Sequence, residues 1–182
     1  MGLRIAGGTF RGRVLKTPPS FITRPTQERV RQALFNILQF EIEDLIFADL
    51  FAGSGAVGLE ALSRGAEHVY FVERNHKAFA ALKANVDALN VSTSVTAIKA
   101  EVKHGVKKLP QCDIVFLDPP YSNEEEDIRL LNSLPFTEFV KEDGRIFFET
   151  THALSDETLQ GLKIVQSRTF GDTELIELRT NH

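Results

Sequence analysis

The sequence predicts an α/β fold: a doubly wound, mostly parallel sheet with an antiparallel C-terminal strand, preceded by a small N-terminal β-hairpin. Three observations predict it. Apolar runs at 45–50, 68–73 and 112–117 lack polar alternation and read as strands buried on both faces. Segments with helical spacing and helix-start signals separate them. The last third carries two β-rich runs, 161–170 and 173–178, joined by Gly171-Asp172, a two-residue hairpin signal.

In chain order, Leu3-Arg4-Ile5-Ala6 and Arg13-Val14-Leu15-Lys16 are short alternating strands around a glycine-rich, basic tip containing Gly7, Gly8 and Arg11. Gly7 and Gly8 suit either close approach to a ligand or the turn alone. Thr26 is the expected N-cap of a helix running to about residue 39, with Val30, Ala33, Leu34, Ile37 and Leu38 on one face. Arg29 and Arg31 lie off that stripe, free to point towards a partner. Asn75 caps a helix to about residue 89, residues 93–99 form the next strand, and 146–149 another. Residues 124–127 are acidic, as the start of a helix favours, and 128–134 read as helical. The 182 residues suit one domain, 23–182, carrying the hairpin extension 1–22.

Composition limits the function classes. With 42% hydrophobic and 25% charged residues the chain is an ordinary globular one. No apolar run approaches membrane-spanning length and the first residues lack a signal-peptide core, so a cytoplasmic protein is expected. The single cysteine, Cys112, excludes an internal disulfide framework and sits in a predicted strand. Five histidines show no ligand spacing, and no metal is expected. Charge is unevenly placed. Residues 1–31 hold seven bases against Glu28, a net +6, whereas the remainder holds 14 bases and 24 acids, a net −10. A basic arm on an acidic body suits a polyanion contact, with Arg4, Arg11, Arg13, Arg24, Arg29 and Arg31 as the candidate phosphate forks.

Two motifs carry chemistry. The strand 45–50 runs into Phe51-Ala52-Gly53-Ser54-Gly55-Ala56-Val57-Gly58, a GxGxxG loop between strand and helix. Asp49 at that strand end would repel a pyrophosphate and favours an ammonium or sulfonium ligand. Glu73 ends the next strand, where a carboxylate accepts ribose hydroxyls, with Arg74 beside it. Glu101-Val102 follows the third strand, placed to meet an adenine edge. The second motif is Asp118-Pro119-Pro120-Tyr121, delivered by the strand 112–117 to the edge where open α/β sheets bind ligands. An acid, a carbonyl stiffened by two prolines and an aromatic face suit a planar exocyclic amine. Alone, the tetrapeptide also fits a simple strand-ending turn.

Together these motifs resemble the class I S-adenosylmethionine-dependent methyltransferases, a Rossmann-like fold whose amino-methylating members carry (N/D)PP(Y/F). Leu3-Arg4-Ile5-Ala6-Gly7-Gly8, Arg11-Gly12, Arg24-Pro25-Thr26, Arg29-Val30-Arg31 and Ala33-Leu34-Phe35-Asn36 look like the N-terminal signature of the RsmD family. Asp49 to Gly55 and Leu59 to Ala66 are similar to that family's cofactor motif. The resemblance implies methylation of guanine N2 in bacterial small-subunit (16S) rRNA, either as rRNA or in the assembling subunit; a monomer is expected, although the sequence does not fix the oligomeric state. It further implies that Asp49, Gly53, Gly55 and Gly58 cradle the methionine portion of the cofactor, with Phe51, Ala52 and Ser54 in the same loop. Glu73 and Arg74 would lie at the ribose, Glu101-Val102 at the adenine, and Asp118, Pro119, Pro120 and Tyr121 at the target base. Adenine-N6 or another amino methylation on DNA or RNA is the nearest alternative. A non-catalytic rRNA-binding assembly factor is the alternative of a different class.

Overall fold

Seven strands build one sheet: β1 (Ile46–Leu50), β2 (His68–Glu73), β3 (Val95–Lys99), β4 (Cys112–Leu117), β5 (Val140–Thr150), β6 (Leu162–Phe170) and β7 (Thr173–Thr180). The computed structural model describes residues 2–18, 25–120 and 123–181, the side chains of 25 and 26 excepted. Strand order is β3-β2-β1-β4-β5-β7-β6. β1 to β5 are mutually parallel, and β7 runs antiparallel to both of its neighbours. The order reverses between β1 and β4, so the crevice of a doubly wound sheet opens at their C-terminal ends.

The antiparallel strand is not the edge. The terminal hairpin forms as expected, with Phe170 opposite Thr173 across the two-residue turn, but β7 docks inward and β6 lies outside it. Residue pattern explains the order. β7 buries Leu175, Ile176 and Leu178 on both faces, whereas Lys163, Val165, Gln166 and Ser167 of β6 are exposed and tolerate an edge.

Helices cover both faces. On one side lie α1 (Pro25–Leu38), α2 (Ala56–Ser63) and α3 (His76–Leu89), packed on Phe47, Phe71, Phe116 and Phe147. On the other lie α4 (Val102–Gly105), α5 (Glu124–Ser133) and α6 (Phe136–Phe139), packed on Leu50, Val72, Leu117 and Phe148. α1 starts at Pro25, two residues earlier than a cap at Thr26 would place it, because proline is pre-set for the first helical position. Asn75 caps α3 as expected, accepting from the Lys77 and Ala78 amides. α5 begins at Glu124, ahead of the expected 128, because Asn123 caps it through the Glu126 amide.

The N-terminal segment is held on α2 and α3 rather than built as a regular ribbon. Its two arms meet in a single antiparallel bridge, Arg4 to Val14. The glycines serve an intramolecular close approach: a Cβ on Gly8 (φ +76) would stand 1.8 Å from the Ser63 carbonyl oxygen. Ser63 takes the Thr9 amide on its carbonyl and the Phe10 amide on its hydroxyl, and donates to the Gly7 carbonyl. Beneath this tip, Glu60 is fully buried. Its Oε1 accepts from Arg64 Nε and Nη2 at 3.0 and 2.8 Å, and its Oε2 accepts from the Ala6 amide. Arg31 Nε lies 3.1 Å from the same Oε2, and Arg31 Nη2 donates to the Arg4 carbonyl.

Candidate active site

The four central parallel strands end in a row of carboxylates on one face. Phe71, Phe47, Phe116 and Phe147 pack against the α1–α3 layer, and the period-two alternation carries Glu73, Asp49, Asp118 and Glu149 to the same side. Strand register aligns them: Leu50 pairs with Val72 and with Leu117, and Leu117 pairs with Phe148. Glu73, Asp118 and Glu149 therefore share one level at the sheet edge, with Asp49 deeper. Asp49 is buried and its carboxyl is pushed up to about 7, by burial first and then by the Asp118 and Glu73 charges. A hydrogen bond from the Gly58 amide at 2.8 Å opposes that rise. Glu149 is pushed up to about 9, by burial and by Asp118. Among the described residues no group of three His, Cys, Asp and Glu is arranged to hold a metal.

The glycine loop is fixed by its neighbours. Gly58 must lack a side chain, since a Cβ there would lie 2.3 Å from the Phe71 ring. Gly55, at φ +84, caps α2, and Phe51 also adopts a left-handed φ of 65. Gly53 (φ +58) faces open space, leaving backbone accessible to a ligand. Its amide donates to Glu73 Oε2 at 2.8 Å while the Asn75 amide donates to Glu73 Oε1 at 2.6 Å. The Ala52 amide is tied to the Val72 carbonyl. Ser54 is buried and its carbonyl accepts from the Asn85 amide nitrogen at 3.0 Å. Asn85, unremarked in the sequence, also brackets Lys16 by donating to its carbonyl and accepting from its amide.

Beyond Glu73, an open depression of about 540 Å³ is lined by Arg74, Asn75, Lys99, Ala100 and Glu101. Arg74 and Glu101 form an exposed ion pair at 3.7 Å, while the Val102 side chain turns into the core. Asp118 and Pro119 are half-buried at the crevice and Pro120 is exposed. Tyr121 and Arg24 lie outside the described residues. Of the arm cations, Arg4, Arg11, Arg13 and Arg29 are exposed. Arg4 donates to the Gly12 carbonyl and Arg13 to the Ala88 carbonyl. Arg31 is the correction. It is 4% exposed, its charge matched by Glu60, because the N-terminal segment covers the face of α1 that its spacing left open.

Comparison with known proteins places this arrangement. Residues 3–179 match the family described as Conserved hypothetical protein 95. Ribosomal RNA small subunit methyltransferase D of Escherichia coli is 40% identical over 71% of this chain and 66% of its own length. The chain belongs to the RsmD methyltransferase family. The rRNA methyltransferase YlbH of Bacillus subtilis, so named as a putative one, is 32% identical over 94% of this chain and 95% of its own. The solved structure of Escherichia coli yhhF shares the fold at TM-score 0.83 and 27% identity, covering 99% of this chain and 98% of that one. In this RsmD-family chain, sequence reasoning missed Glu149. The signal was an acid ending an apolar strand, the same signal that marked Glu73.

Proposed function

We propose that the protein methylates the exocyclic N2 amine of a guanine in small-subunit (16S) ribosomal RNA, with S-adenosylmethionine as donor. The observation that carries this reading is the carboxylate row beside the glycine loop, with Asp118-Pro119-Pro120 at the end of β4. Such a row suits a cationic donor and a nitrogen that becomes cationic as it reacts. The names of the relatives supply rRNA as the substrate class. S-adenosylmethionine, when bound, supplies a methyl group on a sulfonium. Gly53 and Asp49 would meet its methionine end, Glu73 its ribose, and the depression at Arg74, Asn75 and Glu101 its adenine. Each oxygen of Glu73 keeps a lone pair beyond its bond to the loop amides.

At the target, Asp118 and the Pro119 carbonyl accept the two N–H groups of the amine and turn its lone pair out of the ring plane. Tyr121 offers the stacking face. Alignment of this kind supplies about 7–11 kcal/mol in favourable intramolecular models. Asp118 accepts the proton that the methylated nitrogen sheds. The base must be unpaired or flipped to reach the crevice. Methyl transfer from labelled S-adenosylmethionine to naked 16S rRNA, partly assembled subunits and duplex DNA tests the reading. N2-methylguanosine in an rRNA sample is expected; N6-methyladenine would overturn the choice of base.

The arm is expected to contribute phosphate contacts. Arg11→Ala with Arg13→Ala should weaken RNA binding and shallow its log-log salt slope by about 1–2. An unchanged slope removes the arm from the interface.

Asp49 predicts a pH dependence. In the free protein its carboxyl is protonated below about 7, and a bound cation favours the ionised form. Affinity for S-adenosylmethionine should therefore rise about tenfold between about pH 5.5 and 7, and Asp49→Asn should flatten it. Calorimetry with S-adenosylhomocysteine, which keeps the ammonium but lacks the sulfonium, tells which cation Asp49 faces. A flat wild-type profile removes Asp49 from the site.

A further inference from the structure

Glu149 lies outside the glycine loop and the Asp118 motif, yet the sheet brings it to the target-amine end of the crevice. β4 and β5 are parallel and in register through Leu117 and Phe148, so Asp118 and Glu149 leave adjacent strands side by side. Both follow, by two residues, phenylalanines of the same core face. Antiparallel β7 closes the other flank of Glu149 with apolar Leu175. Further along that face, Glu177 is matched by Arg145 at 2.8 Å and by Arg168 at 4.0 Å, so neither arginine is committed to Glu149. Glu174 of β7 takes the Ser167 hydroxyl. Asp49 and Glu73, the remaining acids of the row, lie two and three strands away on β1 and β2.

We propose that Glu149 is a positioning residue that works as a neutral carboxylic acid, leaving Asp118 as the single charge beside the target amine. The proposal rests on the amine-methylation reading above. Two carboxylates on adjacent strand ends in a half-buried crevice resist ionising together, and the proton stays on Glu149, whose other flank is the apolar Leu175. Desolvation is the first cause of the rise at Glu149, ahead of Asp118. In the reaction the N2 electron pair forms the bond to the methyl carbon and the carbon–sulfur pair returns to sulfur. The proton shed from N2 then passes to ionised Asp118, while Glu149 keeps its own. With both carboxyls protonated Asp118 could not take that proton; with both ionised the crevice would carry an unneeded repulsive charge.

The first test needs no ligand. A carboxyl whose folded pKa is raised favours the folded state while protonated, and that contribution fades as pH climbs from the unfolded value through the folded one. Urea-unfolding stability of the wild type should fall between pH 5 and 9, and Glu149→Gln should flatten that decline. The second test is kinetic. Glu149→Ala should lower kcat about tenfold, less than loss of the proton acceptor itself, with KM for S-adenosylmethionine unchanged. Glu149→Gln should restore kcat at neutral pH and remove the fall in rate expected of the wild type towards pH 9. A Gln variant as slow as the Ala variant, or a stability profile that Gln leaves unmoved, overturns the proposal. Absence of amine methylation by the wild type would sink the functional reading instead, and the stability profile distinguishes the two failures.

Discussion

Asp118→Ala is expected to lower kcat for methyl transfer by about 10²–10⁴ while S-adenosylmethionine still binds. The side chain stands at the crevice end of β4, one level beyond Asp49, whose ionisation its charge disfavours. Its removal therefore relieves the deeper carboxylate and leaves the glycine loop, held by Glu73 at Gly53 and by Asp49 at Gly58, in place. Asp118→Asn separates two parts of the role. The amide oxygen still accepts one N–H of the target amine, but the group no longer takes a proton. Retained activity in Asn with loss in Ala makes orientation the main contribution; loss in both makes proton transfer essential. Equal loss of cofactor affinity and turnover would sink the assigned role. Single-turnover methylation and equilibrium cofactor binding measure the two quantities separately.

Glu60→Ala is expected to be the most destabilising single change in the molecule outside the large core side chains. It strips the partner from Arg31, which is 4% exposed, and from half-buried Arg64, and frees the Ala6 amide. Breaking a buried pair by removing one partner costs about 3–5 kcal/mol, because an uncompensated charge stays behind. For a chain of this size that lowers Tm by about 10 °C. Glu60→Gln keeps acceptor and shape and should cost less than Ala. Denaturant titration decides it; a change under about 1 kcal/mol would show that the two arginines find water instead. Arg64 stacks on Phe35 at 5.1 Å, so the disturbance should reach the α1 contact as well.

Much of this architecture was legible because each cue was local. Apolar runs marked the buried strands, Asn75 and the Gly171-Asp172 turn marked a helix start and a hairpin, and acids after strands marked Asp49, Glu73 and Asp118. What could not be read depended on segments far apart in sequence. Arg31 looked exposed because helical spacing describes one helix alone, whereas the strip it occupies is covered by residues 4–6 and α2. The inward docking of β7 follows from its apolar residues on both faces, but the slot it fills exists only once β5 is placed. Gly7 and Gly8 were expected to let a ligand approach or to serve the turn alone, yet what they approach is the end of α2, which no local pattern names. Asn85 gave no cue at all, since a lone asparagine in a helix ordinarily faces water.

Asn85 bears on modularity. One side-chain amide touches both the start of the chain and the loop before α2, so the N-terminal segment is not a detachable accessory. Deleting residues 2–18 would leave that amide half-satisfied in the interior and slacken its hold on Ser54. A chimaera that borrows this segment from a relative must borrow α3 with it.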